Sequence, residues 1–217
     1  MSELIAGVSC YSSYLKISVR DGKKNLSYSR KIINFDDVMI LQLIKMTERL
    51  GFSFKDIKTL CVVKGPGRFT AIRSIYTFAS VYKAISGCRV FGVDVFDCLA
   101  YNLFTLDSSD KEVAVILHAF KDEYYLSFYS FRAKKIIREE KPQWLFFDDV
   151  LKKTKGFKGV IISDMEEFSK EMACFKDIKL APASISKIIP QNIIDAALYF
   201  GSEDFEPFYL KPAKFEL

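Results

Sequence analysis

The spacing of apolar and polar positions changes along the chain, and each change marks an element. Residues 4–8 are a short apolar run. Residues 14–19 alternate, with Leu15, Ile17 and Val19 set against Lys16 and Ser18, the period of two that a half-buried strand produces. Asp21-Gly22 is a turn signal, and residues 26–33 can return as a third antiparallel strand. From 35 the period lengthens to that of a helix, which runs to about 50 and stops at Gly51, with Asn34 as its expected cap. Residues 60–63 are a short apolar run and predict a buried strand; 68–86 predict a long helix; 89–93 another strand; 94–104 another helix. The order is βββαβαβα, an antiparallel meander followed by βα units that add parallel strands to one sheet.

Residues 106–111 are polar, with Ser108-Ser109-Asp110, and predict a boundary between a first domain over 1–106 and a second over 107–217. Beyond it, strands are expected over 112–117 and 124–131 around the charged turn Lys121-Asp122-Glu123. A more polar strand is expected over 134–141, a helix over 146–153 and a buried strand over 159–163. Helices follow over 165–175 and from Pro190 to about 200, with an extended segment over 207–210. The second half echoes the first in element order without repeating residue identities. The last helix or the tail is a candidate to pack back on the first domain.

The chain is organised around Thr59 to Arg73, where an apolar run meets Gly65-Pro66-Gly67 and a long helix begins. The first N–H groups of a helix lack intrahelical partners, so Gly65, Gly67, Arg68, Thr70 and Arg73 form a candidate anion site. The stretch lacks the Gly-Lys-Ser/Thr of a nucleotide-binding P-loop. A purely structural strand–turn–helix junction accounts for the same residues.

Both helices of the first half are apolar on more than one side. On a helical wheel, one stripe of the 68–86 helix carries Ile72, Ile75, Tyr76, Ala79 and Tyr82; the nearly opposite stripe carries Ala71, Phe78, Val81 and Ile85. The 35–50 helix leaves only a narrow polar strip around Gln42, Lys45 and Arg49. Either these helices bury much of each other, or one face waits for a partner. The expected partner surface is Met39, Leu43, Met46, Arg68, Ile72, Ile75, Tyr76, Ala79 and Tyr82. On that expectation, Asp at Ile75 or Tyr76 abolishes association and leaves the monomer folded.

Composition narrows the classes. Half of the 217 residues are apolar and 15% are aromatic, which supports a packed core and excludes a disordered chain. The net charge of +5 permits weak attraction to nucleic acid without predicting it. The five cysteines include no C-x-x-C pair and are expected as buried thiols. The opening residues MSELIAGVSC lack a basic stretch and a long apolar run, and no segment has the roughly 20 apolar residues of a membrane span, so a cytoplasmic protein is expected. His118 is the only histidine, which removes a His-x-x-x-His metal site. Asp36-Asp37, Asp122-Glu123 and Glu166-Glu167 are adjacent acids whose side chains diverge, as helix caps and turns require. Tyr11, Tyr14, Tyr124, Tyr125 and Tyr129 lack interleaved cations and read as core aromatics.

Two βββαβα halves suggest the α/β fold shared by actin, Hsp70 and sugar kinases (the ASKHA fold), with mixed sheets. Residues 64–73, Lys-Gly-Pro-Gly-Arg-Phe-Thr-Ala-Ile-Arg, resemble the G-P-G-S-F-T-G-L-R signature of the TsaB (YeaZ) family. Residues 88–100, 119–129 and 206–211 resemble further blocks of that family in the same order. The first block is specific; the others gain weight only from their order. The resemblance implies a non-catalytic scaffold in threonylcarbamoyladenosine biosynthesis on tRNA, next to the anticodon. The implied partners are a TsaD-like transferase and a TsaE-like ATPase, with tRNA reached indirectly and a homodimer when isolated. The family's helices equivalent to the two above form a four-helix interface with the transferase or with a second copy. No cofactor of its own is implied, ATP being bound by partners or at a shared interface. The chain departs from the family at Ser9, where an acid is expected, at Arg68 for Ser, at Ala71 for Gly and at His118 for Asp. In ATP-binding relatives that acid helps hold metal and phosphates. An actin-like phospho- or acyltransferase using residues 65–70, and a homodimeric interaction module with another partner, are the alternative readings.

Overall fold

The computed structural model describes residues 3–32, 35–164, 175 and 178–211, with the side chains of Asp36 and Asp37 left out. The described elements are, in order, β1 (Leu4–Ser9), β2 (Tyr14–Arg20), β3 (Asn25–Lys31), α1 (Phe35–Arg49), a short 3-10 turn (Phe54–Asp56), β4 (Ile57–Val63), α2 (Phe69–Ser86), β5 (Arg89–Val93), α3 (Val95–Leu106), β6 (Lys111–Phe120), β7 (Glu123–Arg132), β8 (Lys135–Arg138), β9 (Gln143–Phe146), α4 (Phe147–Thr154), β10 (Val160–Ser163), β11 (Lys179–Leu180) and α5 (Pro190–Phe200). Asn34 and most of the helix expected over 165–175 lie outside the described residues.

The chain divides into two compact units, Met1–Cys98 with Ile189–Phe208, and Leu99–Ile188 with Tyr209–Leu217. The polar stretch after α3 is the loop from α3 to β6, not the place where the contacts part. A boundary falls where few contacts cross, and polarity alone does not locate it.

In the first unit the sheet order is β3-β2-β1-β4-β5. β1 pairs antiparallel with β2, β2 with β3, and β4 runs parallel to both β1 and β5. Leu4, Ala6 and Val8 of β1, Leu15, Ile17 and Val19 of β2, and Leu60 and Val62 of β4 face one core with Met39, Leu43 and Met46 of α1 and Ala71, Ile75, Ala79 and Tyr82 of α2. The opposite face is covered by α5. A Cβ at Gly7 would sit 2.9 Å from the Ser18 hydroxyl, 3.0 Å from Ile194 and 3.1 Å from Ile193, so the glycine lets that helix pack close to β1. The alternation of β2 predicts a strand buried on one face. With α5 on the other, Lys16 and Ser18 are buried as well.

The second unit has the order β11-β10-β6-β7-β8, with β9 also paired to β7. Its first strand β6 pairs antiparallel with β7, β7 with β8, and β10 runs parallel to β6 and β11. With β9 set aside and strands counted from the first of each unit, both sheets read 3-2-1-4-5 with the same strand senses. Ala114, Ile116, Tyr124 and Leu126 pack with Val150 of α4 on one face. On the other, Phe104 of α3 meets Phe131 edge-on at 5.3 Å. The strand expected over 134–141 is the shorter β8; β9, with four residues, and β11, with two, are too short to carry a pattern. Residues 207–210 form no strand, and their order comes instead from the Phe208 amide, which donates to the Lys64 carbonyl at 2.9 Å.

Candidate partner-docking surface

The surface is built from the β4–α2 junction outward. Gly65 has φ +116°, and a Cβ there would lie 2.8 Å from the Phe208 carbonyl oxygen. At Gly67 a Cβ would approach the Tyr11 carbonyl oxygen to 2.4 Å. Backbone cannot yield as a flexible side chain does, so both positions require glycine. The Arg68 amide donates to that Tyr11 carbonyl at 2.8 Å, and the Val95 amide to the Gly65 carbonyl at 2.8 Å. The Arg68 amide and the Gly65 carbonyl are thus spent within the chain. Lys64 is tied to Asp204 by a 2.8 Å ion pair, and its hydrogen bond holds the Asp204 carboxyl below its ordinary range.

The residues of the candidate anion site are engaged separately. Gly65 is buried and Gly67 is closed on Tyr11. Arg68 and Thr70 are exposed, and the Arg73 guanidinium lies 5.3 Å from the centre of the Phe69 ring. Ser9, where an acid would stand, is buried at the end of β1. His118 is the histidine of a hairpin: its Nε2 is 2.8 Å from the Lys121 carbonyl and its ring 5.3 Å from Tyr124. Among the described residues, no group of three or more His, Cys, Asp or Glu could hold a metal ion.

The α2 stripe expected to meet a partner proves to be the inner one. Met39, Leu43, Met46, Ile72, Ile75, Ala79 and Tyr82 are all buried within the first unit, where they are its core. Ile75 is 1% exposed. Tyr76 is half-buried with its ring 5.7 Å from Phe205, in the segment after α5 that runs along β5. Of the nine expected residues, Arg68 alone is exposed. The assignment fails because a wheel shows two stripes without showing where the sheet lies. The inner stripe is uninterrupted, whereas Thr70, Ser74 and Thr77 are interleaved with Phe78, Val81 and Ile85, and that mixture is the signal of the outer face.

The outer face is a groove of about 610 Å³ between α1, the Phe54 turn and α2. Ile40 (43% exposed), Phe69 (58%), Val81 (52%) and Ile85 (80%) form its sides. Its floor is aromatic: the Tyr82 ring lies 4.8 Å from Phe54 and 5.9 Å from Phe78. The Tyr82 hydroxyl donates to the Phe54 carbonyl at 2.6 Å, and burial pushes its pKa up to about 12. Met39 and Tyr82 thus touch the groove from below while belonging to the core. So large a run of exposed apolar side chains marks an interaction site more often than chance.

Two α/β units with the same strand order, each a mixed sheet with helices on its faces, make this an actin-like fold. Two solved structures from Pseudomonas aeruginosa share it over nearly the whole chain. One, described as an uncharacterized protein with similarity to peptidase YeaZ, superposes with a TM-score of 0.76 at 14% identity, covering 97% of this chain and 100% of its own. The other, YeaZ, gives 0.73 at 13% identity with the same coverage. No protein-family model and no curated protein matches the sequence. The chain therefore has the YeaZ fold, the fold of the family its 64–73 motif resembles. Among the described residues, no helix is long and apolar enough to cross a membrane.

Proposed function

We propose that the chain is a TsaB-type scaffold in tRNA modification, which docks a TsaD-like transferase through the outer groove of α1 and α2 and supplies no catalytic group itself. The carrying observation is that groove: an apolar, aromatic-floored face left exposed beside the core of the first unit. Full-length likeness to YeaZ supports the choice of pathway. The turn chemistry supports a scaffold over a phosphotransferase, because Gly65-Pro66-Gly67 is packed on Tyr11 and Phe208, and Ser9 occupies the expected acid position. On this reading a TsaE-like ATPase and tRNA join through the transferase, and nucleotide binds there.

Affinity capture of the chain at native abundance, followed by identification of what co-purifies, tests the partner. A TsaD-like transferase in near-equal amount is expected, and its absence from a complex that holds other proteins contradicts the reading. Calorimetry of the isolated chain with Mg-ATP tests the scaffold role separately: micromolar binding contradicts it.

A further inference from the structure

Five neighbouring strands of the second unit each bring a cation to one end of its sheet. β11 begins at Lys179, β6 at Lys111 and β8 at Lys135; β7, running the other way, ends at Arg132; Lys158 stands two residues ahead of β10. The order β11-β10-β6-β7-β8 sets them side by side. Neighbouring strands lie about 4.8 Å apart, so the row is about 19 Å long. The entry to β10 is pressed against the row's centre, where a Cβ at Gly159 would overlap the Glu112 carbonyl. Lys111, Lys158 and Lys179 line one depression of about 560 Å³, Arg132 and Lys153 an adjoining one of about 470 Å³, and exposed Glu112 is common to both.

Three of the carboxylates at this end are engaged within the unit. Asp107 pairs with Lys111, Asp110 accepts the Ala133 amide at 3.2 Å, and Glu139 accepts the Ser130 hydroxyl. Lys134, Lys153 and Lys155 flank the row, so cations outnumber carboxylates among the described residues here. Ala133 and Lys134 close the β7–β8 turn at φ +51° and +60°, a geometry that glycine or asparagine holds with less strain. A lysine there adds charge at a conformational cost. The described residues lining the first depression include no exposed apolar side chain, the usual anchor of a protein partner.

Resting on the tRNA-modification reading above for the choice of RNA, we infer that this sheet end contacts the sugar-phosphate backbone of tRNA, so that tRNA brought by the transferase is also held by this chain. Lysine and arginine contacts to phosphate supply affinity and carry no sequence information. At about 3.4 Å of helix axis per phosphate, a row of about 19 Å spans about five phosphates of one strand. Glu112 opposes them at the centre and sets a limit on the affinity.

Fluorescence anisotropy of a labelled tRNA transcript, titrated with the full chain at about 50 and about 200 mM salt, tests the contact. Four phosphate contacts predict that log K falls by about 3 to 4 per tenfold rise in salt. Lys135→Glu, Lys158→Glu and Lys179→Glu together, all at exposed positions, are expected to weaken binding at least ~10-fold and to flatten the salt dependence. The same charge change at exposed Lys23, Lys24 and Lys58 of the first unit is expected to weaken it less than ~3-fold, and thermal melts check that both variants fold. Glu112→Gln tightens binding; a variant that binds no better overturns the placement of the backbone along the row. Equal losses in the two triple variants reduce the effect to net charge and overturn the site. No binding by wild type at the lower salt overturns it too, and leaves the docking of the transferase, read by co-purification, standing. Binding of poly-glutamate in place of tRNA, lost in the same triple variant, overturns the RNA assignment. A chain that binds tRNA through the row but captures no transferase upholds the contact and contradicts the docking role.

Discussion

Asp substitutions at Ile75 and Ile85 separate the inner and outer faces of α2, nearly three turns apart on one helix. Ile75 is 1% exposed and packs in the core of the first unit. Removing its side chain from the core forfeits about 2–3 kcal/mol of burial. The introduced carboxyl cannot stay ionised there. Taking a proton at neutral pH, about three units above its ordinary pKa, costs about 4 kcal/mol more. The total, about 6 kcal/mol, matches the whole stability of many domains. Ile85 is 80% exposed, so little burial is lost. A negative charge in the last turn of α2 opposes the helix dipole by about 0.3–1 kcal/mol. Urea titration followed by far-UV circular dichroism should therefore find Ile75→Asp unfolded or barely folded, and Ile85→Asp within about 1 kcal/mol of wild type. A stable Ile75→Asp protein, or an unfolded Ile85→Asp protein, would show that the inner and outer faces are exchanged.

Further outcomes follow from the packing. Gly67→Ala places a Cβ 2.4 Å from the Tyr11 carbonyl oxygen and is expected to cost about 1–3 kcal/mol in the same titration; an unchanged midpoint contradicts the close approach. Gly92→Ala drives a Cβ to 2.2 Å from the Asp204 carbonyl oxygen and should loosen the 202–208 segment, seen as faster limited proteolysis there; unchanged cleavage counts against it. Glu3 is held below its ordinary value near 4.5, first by the Thr59 hydroxyl and then by Arg89. A depressed folded pKa gives stability that is present above the unfolded value and lost as pH falls through the folded one. Glu3→Gln should therefore flatten the loss of stability below about pH 4.5, and an identical acid profile excludes a role for Glu3. Burial pushes the Cys61 thiol up to about 12 and Cys98 well above its ordinary value, and Cys10 and Cys88 are buried too. Peptide mapping after brief alkylation should find all four unlabelled until urea is added; fast labelling of any in the native protein contradicts its burial.

What could be read in the residues, and what could not, divides along physical lines. β5 is expected over 89–93 and observed there, because Val90, Phe91 and Val93 lie between the Gly87 helix stop and the Asp94 cap, whose Oδ1 accepts the Asp97 amide. The β4–turn–α2 junction was legible because Gly65 and Gly67 are required by backbone approach, a constraint a sequence displays directly. Burial of Lys16 and Ser18 was not, since it depends on α5, which arrives from the far end of the chain to cover that face of β2. The same limit reversed the two stripes of α2. Periodicity reports that a helix has an apolar side, but which side meets the sheet depends on strands outside the helix. Phe54 was missed as part of the surface because it lies in a short turn with no periodicity, and joins the groove through its ring contacts with Tyr82 and Phe78.

The central claim, that the outer face of α2 docks the transferase, is tested most directly by analytical ultracentrifugation of the chain mixed with the TsaD-like transferase of its own genome. A one-to-one complex is expected with wild type and none with the Val81→Asp, Ile85→Asp double variant, while each protein alone remains folded. A complex of equal strength with both, or with neither, contradicts it.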